Sequence, residues 1–188
     1  HHDHSGGLTR VNDQGELVSK YPNAKIIVND VEWYEMRNPN NRTRGTYLRE
    51  NWEPIQDQVT TFSEYINVIP EIQMIHTSGH SNGHSIILLK QGKDTMIHMG
   101  DLMLSHVHRN PLWVPAVDDY PMKSILAKEK WLRQAFENHY KFFFYHDQFF
   151  AVVEFDKDGK EFVDYVLRSR PPLIPFTDQQ DRKPDFLG

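Results

Sequence analysis

Four short stretches of this chain concentrate histidine and aspartate at spacings that could hold a metal ion. His1-His2-Asp3-His4 opens the sequence and runs into Ser5-Gly6-Gly7. Thr77-Ser78-Gly79-His80-Ser81-Asn82-Gly83-His84 comes next, then His98-Met99-Gly100-Asp101, then Tyr145-His146-Asp147. Imidazole nitrogen and carboxylate oxygen are the donors Zn(II) accepts, at roughly 2.0–2.2 Å, where no thiolate is offered. The chain has 11 histidines and no cysteine. His1, His4, His80, His146 and Asp101 each fall at an expected strand end or in the adjoining loop, and loops held on a rigid sheet can assemble one site from distant segments. The plain alternative for His1 and His2 is a purification-tag remnant, but a tag does not supply Asp-His-Ser-Gly-Gly with partners eighty residues on. His84 reads as a supporting residue, His98 as a buried strand residue, and His139 as a cation at a helix C-terminus.

The elements that must position these groups are mixed. Gly6-Gly7-Leu8 reads as a turn entering a short helix, Ala24 to Val28 as a strand, and Asp30 as the cap of a helix through Met36. Strands are expected at Glu71–His76, Ser85–Leu89, Thr95–Met99, Lys141–Tyr145, Ala151–Phe155 and Phe162–Leu167, with Asp158-Gly159 as a hairpin signal. Met122 to Asn138 has helical spacing, its stripe being Ile125, Leu126, Trp131, Leu132, Ala135 and Phe136. Residues 37–54, rich in Asn, Arg and Pro, read as a surface insertion, and 171–188 as a tail. The expectation is one α+β domain over 1–170.

Composition narrows the classes. With 188 residues, 38% hydrophobic and 25% charged, the chain is neither disordered nor a linker, and it has no apolar run of the ~20 residues a membrane helix needs. The net charge is -5. That balance argues against nucleic acid, whose binding rests on a basic stripe. The absence of cysteine suits a cytoplasmic protein.

The first stretch resembles the closing part of the His-x-His-x-Asp-His motif of the metallo-β-lactamase superfamily, whose first histidine would lie two residues before His1. Thr77 to His84 is similar to that superfamily's Thr-Pro-Gly-His-x-x-Gly-His loop, with Ser78 where proline is common. The resemblance implies an αββα sandwich, here without its N-terminal strands. It also implies two Zn(II) ions, the first on His1 and His80, the second on Asp3, His4 and His146, bridged by Asp101. Segments around Glu32–Arg37, Glu50–Ile55, Asp101–Met103 and Asn110–Pro121 resemble the YtnP-type quorum-quenching lactonases, which open the ring of N-acyl-homoserine lactones. On that resemblance the metals activate water, Asp3 shuttles the proton, and Trp33, Trp52, Met103, Trp113, Tyr120 and Phe149 line an acyl-chain cleft. Leu104 stands where related lactonases carry a substrate-contacting tyrosine, so His106 or His108 is expected to supply that contact. A related esterase or organophosphate hydrolase is the alternative, and a non-catalytic binding module the third reading. The substrate is a small lactone or ester, and exposed aromatics in the insertion suit a homodimer.

Overall fold

β-Branched and aromatic runs build a seven-stranded sheet in a computed structural model that describes residues 1–169. The tail expected at 171–188 lies outside the described residues. The strands are β5 (Tyr65–Ile69), β6 (Ile72–His76), β7 (Ser85–Gln91), β8 (Asp94–His98), β9 (Lys141–Phe143), β10 (Phe150–Phe155) and β11 (Phe162–Leu167), laid side by side in chain order. Every pairing is antiparallel except β8 with β9, which run parallel. A parallel pair needs a crossover, and here it carries the 99–120 segment and the long helix α3 (Pro121–Glu137). The β6–β7 loop and the C-terminal ends of β8 and β9 therefore emerge at the same end of the strands.

Alternation along β7 sends Ile86 and Leu88 into the core, where they meet Ile97, Phe142, Val153 and Phe155. Helix α3 covers that face with Ala127, Trp131, Leu132 and Ala135. Its buried stripe differs from the expected one: Leu126 faces solvent, whereas the polar Ser124 and Lys128 are inside. Both are admitted because the crossover loop offers them hydrogen-bonding partners, described below.

The N-terminal third makes smaller pieces. Helix α1 (His2–Ser5) passes through a 3-10 turn at Gly6–Leu8 into β1 (Thr9–Val11), which pairs with β2 (Leu17–Ser19). Gly6-Gly7-Leu8 thus leaves a helix and enters a strand, the reverse of the expected order. Parallel strands β3 (Ile26–Asn29) and β4 (Val59–Phe62) form a second small sheet. Helix α2 (Asp30–Arg37) follows β3, and its cap is Asn29, not Asp30: the Asn29 side chain accepts from the Val31 amide. Residues 37–54 hold short 3-10 turns and are less superficial than their composition suggests. Thr43, Tyr47 and Asn51 are buried there, Tyr47 because its hydroxyl reaches Glu32 at 2.6 Å.

Candidate metal centre

Three loops at one end of the central strands and helix α1 bring the histidine and aspartate side chains together. One ligand atom from each of Asp3, His4, Asp101 and His146 lies within 4.8 Å of the other three. Asp101 is the hub. Its Oδ2 accepts from His4 Nε2 at 2.8 Å and lies 3.0 Å from His80 Nε2. Its Oδ1 accepts from the Tyr145 hydroxyl at 3.1 Å and lies 3.4 Å from His146 Nε2. Asp3 Oδ2 closes the group, 3.2 Å from His4 Nε2 and 3.5 Å from His146 Nε2. Burial alone would raise the Asp101 carboxyl, but the His4 hydrogen bond and the close imidazoles of His4 and His80 outweigh it and hold it well below the usual carboxylate range.

His80 sits one step aside. Its Nε2 is buried, and its contact with Asp101 lacks hydrogen-bond alignment. Burial disfavours charge on this ring, yet Asp101 and Asp118 together carry the imidazole up to about 9. Two carboxylates thus favour positive charge at this point. His1 stacks edgewise on His80, with ring centroids 4.4 Å apart, and its buried Nε2 faces Asp119 Oδ2 at 3.5 Å without a hydrogen bond. The donor set is all imidazole and carboxylate, and it leaves buried nitrogens unpaired. That chemistry fits a borderline divalent cation. The four-residue group corresponds to the ligands expected for the second ion together with the bridging Asp101; His1 and His80 lie outside that group.

A second tier of residues fixes these rings. Asp118 Oδ1 accepts from His80 Nδ1 at 2.8 Å, and Asp118 Oδ2 accepts from the Ser124 hydroxyl on α3. A carboxylate on the far nitrogen of a ligating imidazole sets its tautomer and orientation. His84 accepts from the Asp101 amide with Nε2 and meets Thr77 Oγ1 with Nδ1. Burial, reinforced by the charge of His80, pushes His84 down to about 3, so it is a neutral acceptor. Gly100, at φ 55°, lets His84 approach: a Cβ there would lie 2.4 Å from its Nε2. Helix α2 holds the same ligand loop. Glu32 accepts from Tyr47, Ser81 and the Gly83 amide, and Glu35 from Asn82 and Tyr120. Ser78 takes φ 59°, which proline cannot adopt, so this loop's own conformation excludes the proline common at that position.

Above the cluster lies a cavity of about 880 Å³. His1, Asp3, His80, Asp101 and His146 line it, and Leu104, His106, His108, Val117 and Phe149 form its walls. His106 is held by Asp147, which accepts from both its amide and its Nδ1. The other residues expected at the substrate cleft are placed elsewhere. Met103 is 1% exposed in the core, because the 3-10 turn after β8 folds inward. Trp33 and Trp52 pack edge to face at 6.0 Å, Trp113 faces solvent, and the Tyr120 hydroxyl is engaged by Glu35. Sequence reasoning did not single out Asp118, Asp119, Glu32 or Tyr145 as site groups. The acidic doublet in an irregular segment, and glutamates three apart on α2, were the available signals.

No family model matches the sequence, and no curated protein matches it. Solved structures do. A probable metal-dependent hydrolase from Staphylococcus aureus superposes with a TM-score of 0.85 at 37% identity, over 91% of this chain and 60% of that one. The hydrolase AbOPH of the β-lactamase superfamily gives 0.72 at 22% identity, over 91% of this chain and 62% of that one. AidC, a dizinc quorum-quenching lactonase bound to a homoserine product, gives 0.67 at 19% identity, over 91% of this chain and 62% of that one. The fold is that of the metallo-β-lactamases, α+β as expected. The chain spans about 60% of the length of the first of these neighbours.

Proposed function

We propose that the chain carries the metal centre of a hydrolase that opens the lactone ring of N-acyl-homoserine lactones, using two Zn(II) ions. The observation that supports it most is the convergence of Asp3, His4, Asp101 and His146 beneath a cavity walled by Leu104, Val117 and Phe149. His4, Asp3 and His146 would hold one ion, His1 and His80 the other, with Asp101 between them. Such ions supply Lewis acidity toward a carbonyl and acidify bound water.

The protein's own residues do the rest. Asp101 is held at both oxygens, by His4 on one side and Tyr145 on the other, so its carboxylate is already placed between the ligand groups; an ion would take over the His4 contact. Asp3 is exposed and lines the cavity; its carboxylate carries the proton from water to the leaving ring oxygen. His106, oriented by Asp147, presents its ring from the wall and orients the substrate, and Phe149 receives the acyl chain. Leu104 places no hydrogen-bond donor in the cavity. That favours a second reading in which an aryl ester or phosphotriester is the better substrate. We place the protein in the cytoplasm; no helix among the described residues is long and apolar enough to cross a membrane.

Elemental analysis should find two zinc equivalents per chain, and rates on an N-acyl-homoserine lactone, an aryl ester and a phosphotriester should rank the lactone first. Full lactonase activity in zinc-free protein, or in Asp101→Asn, would refute the proposal. A phosphotriester ranked first would select the second reading.

A further inference from the structure

Lys128 is the one lysine buried among the described residues, at 0% exposure, and nothing in the proposed chemistry uses it. It sits in the middle of α3, on the stripe that should be wholly apolar. Its ammonium donates to two backbone carbonyls of the crossover loop, Asn110 at 2.8 Å and Trp113 at 2.7 Å. A buried cation is retained only where such partners offset its desolvation. The same helix grips the far end of that loop through Ser124, which donates to Asp118.

What lies between the two grips bears on the metal centre. Asp118 holds the His80 ring through Nδ1. The next two amides pair with the His80 loop backbone, Asp119 N to His80 O at 2.9 Å and Tyr120 N to Gly79 O at 3.0 Å. Ala116 and Val117 form part of the cavity wall. The loop itself has no regular secondary structure between Trp113 and Tyr120. Its start is a turn in which the Trp113 amide donates to the Asn110 carbonyl, and Lys128 ties both of those carbonyls to α3. Arg42 separately holds the Ala116 and Asp118 carbonyls further along.

We propose that Lys128 is a positioning residue: by fixing the start of the 110–120 loop it sets the orientation of the His80 ring and the cavity wall at Ala116–Val117. It acts through the loop and touches neither metal nor substrate. The link to catalysis rests on the function proposed above, but the link to loop order and to the His80 ring does not.

The test compares wild type, Lys128→Met and Lys128→Cys. Because the chain has no cysteine, the thiol can be alkylated specifically with 2-bromoethylamine in denaturant and the protein refolded, which restores an amine of nearly the lysine length. Hydrogen exchange is read by peptide, and zinc affinity by competition with a chelator. Lys128→Met should speed exchange at least tenfold in 110–120 while leaving β7 and β8 unchanged. Zinc affinity should fall roughly tenfold, as for other residues that orient ligands. Aminoethylation of Lys128→Cys should restore both.

Unchanged exchange in 110–120, or loosened exchange with full zinc affinity, would overturn the positioning role. Should Lys128→Met not fold, the alkylated and unalkylated Lys128→Cys proteins give the same comparison, and equal exchange in the two overturns it. If wild type binds no zinc, the functional proposal fails instead, and the His80 imidazole resonances, unmoved in Lys128→Met, would overturn the positioning role on their own.

Discussion

Removing the Asp118 carboxylate should unsettle His80 more than its distance from the cavity suggests. Asp118 is buried with both oxygens engaged, Oδ1 by His80 Nδ1 and Oδ2 by Ser124 Oγ. In Asp118→Ala two buried donors lose their acceptor, and each stranded donor costs about 1–3 kcal/mol. The two are not equal. The Ser124 hydroxyl can rotate to the Tyr120 carbonyl, already 3.5 Å away, whereas His80 Nδ1 has no second acceptor among the described residues. The expected loss is therefore about 3 kcal/mol, dominated by the imidazole. Asp118→Asn can still turn its oxygen to His80 and its amide to the Ser124 oxygen. It gives up only charge assistance, about 1 kcal/mol. Urea unfolding at neutral pH with a chelator present measures both, and zinc affinity should follow the same order, falling ~10–100-fold for the alanine variant. Asp118→Ala within about 0.5 kcal/mol of wild type, the scatter of ordinary surface substitutions, would refute the account of His80.

Two further outcomes rest on packing and burial. Gly83→Ala should cost about 3 kcal/mol, the upper part of the overpacking range, because its Cβ would lie 2.2 Å from the Glu32 backbone nitrogen; thermal unfolding reads this directly, and a near-neutral variant would show that α2 and the ligand loop can part. Burial lowers Lys128 from 10.5 to about 8. Between those values the unfolded chain binds the extra proton, so stability relative to Lys128→Met should rise with pH across that window, by about 3 kcal/mol in total. Urea midpoints collected from pH 7 to 10.5 check both the sign and the window.

The histidine and aspartate motifs that converge at the cluster were legible because metal chemistry restricts residue type, and because a glycine beside them is dictated by close approach, as at Gly100 under His84. The seven-stranded sheet was legible where alternation is strong, as in β7, and α3 where the apolar spacing is helical. The supporting groups were not. Asp118, Glu32 and Lys128 are polar residues whose roles depend on which backbone groups the fold delivers to them, and neither spacing nor composition carries that information. Lys128 shows the point most directly: on a helical wheel it interrupts an apolar stripe, and only the carbonyls of Asn110 and Trp113 explain it. Met103 failed in the opposite sense, since a methionine after a strand can line a cleft or fill a core with equal ease. Asn29 and Asp30 are both good caps by type, and the backbone chose the first.

The parallel junction between β8 and β9 also governs how the site comes into being. Strands β5 and β6, and β7 and β8, are joined by tight turns, with the Thr77–His84 loop between β6 and β7, so all four pair through contacts of short sequence range. Asp101 and His4, by contrast, meet across 97 residues of chain, and Tyr145 reaches Asp101 across 44. Closing such loops is slow, because entropy is lost before any contact offsets it. The β5–β8 strands and the Asp101 cluster therefore rest on contacts of very different sequence range. Pairing β8 with β9 closes the same crossover that carries Tyr145 to Asp101, so one long-range closure both completes the sheet and assembles that side of the cluster.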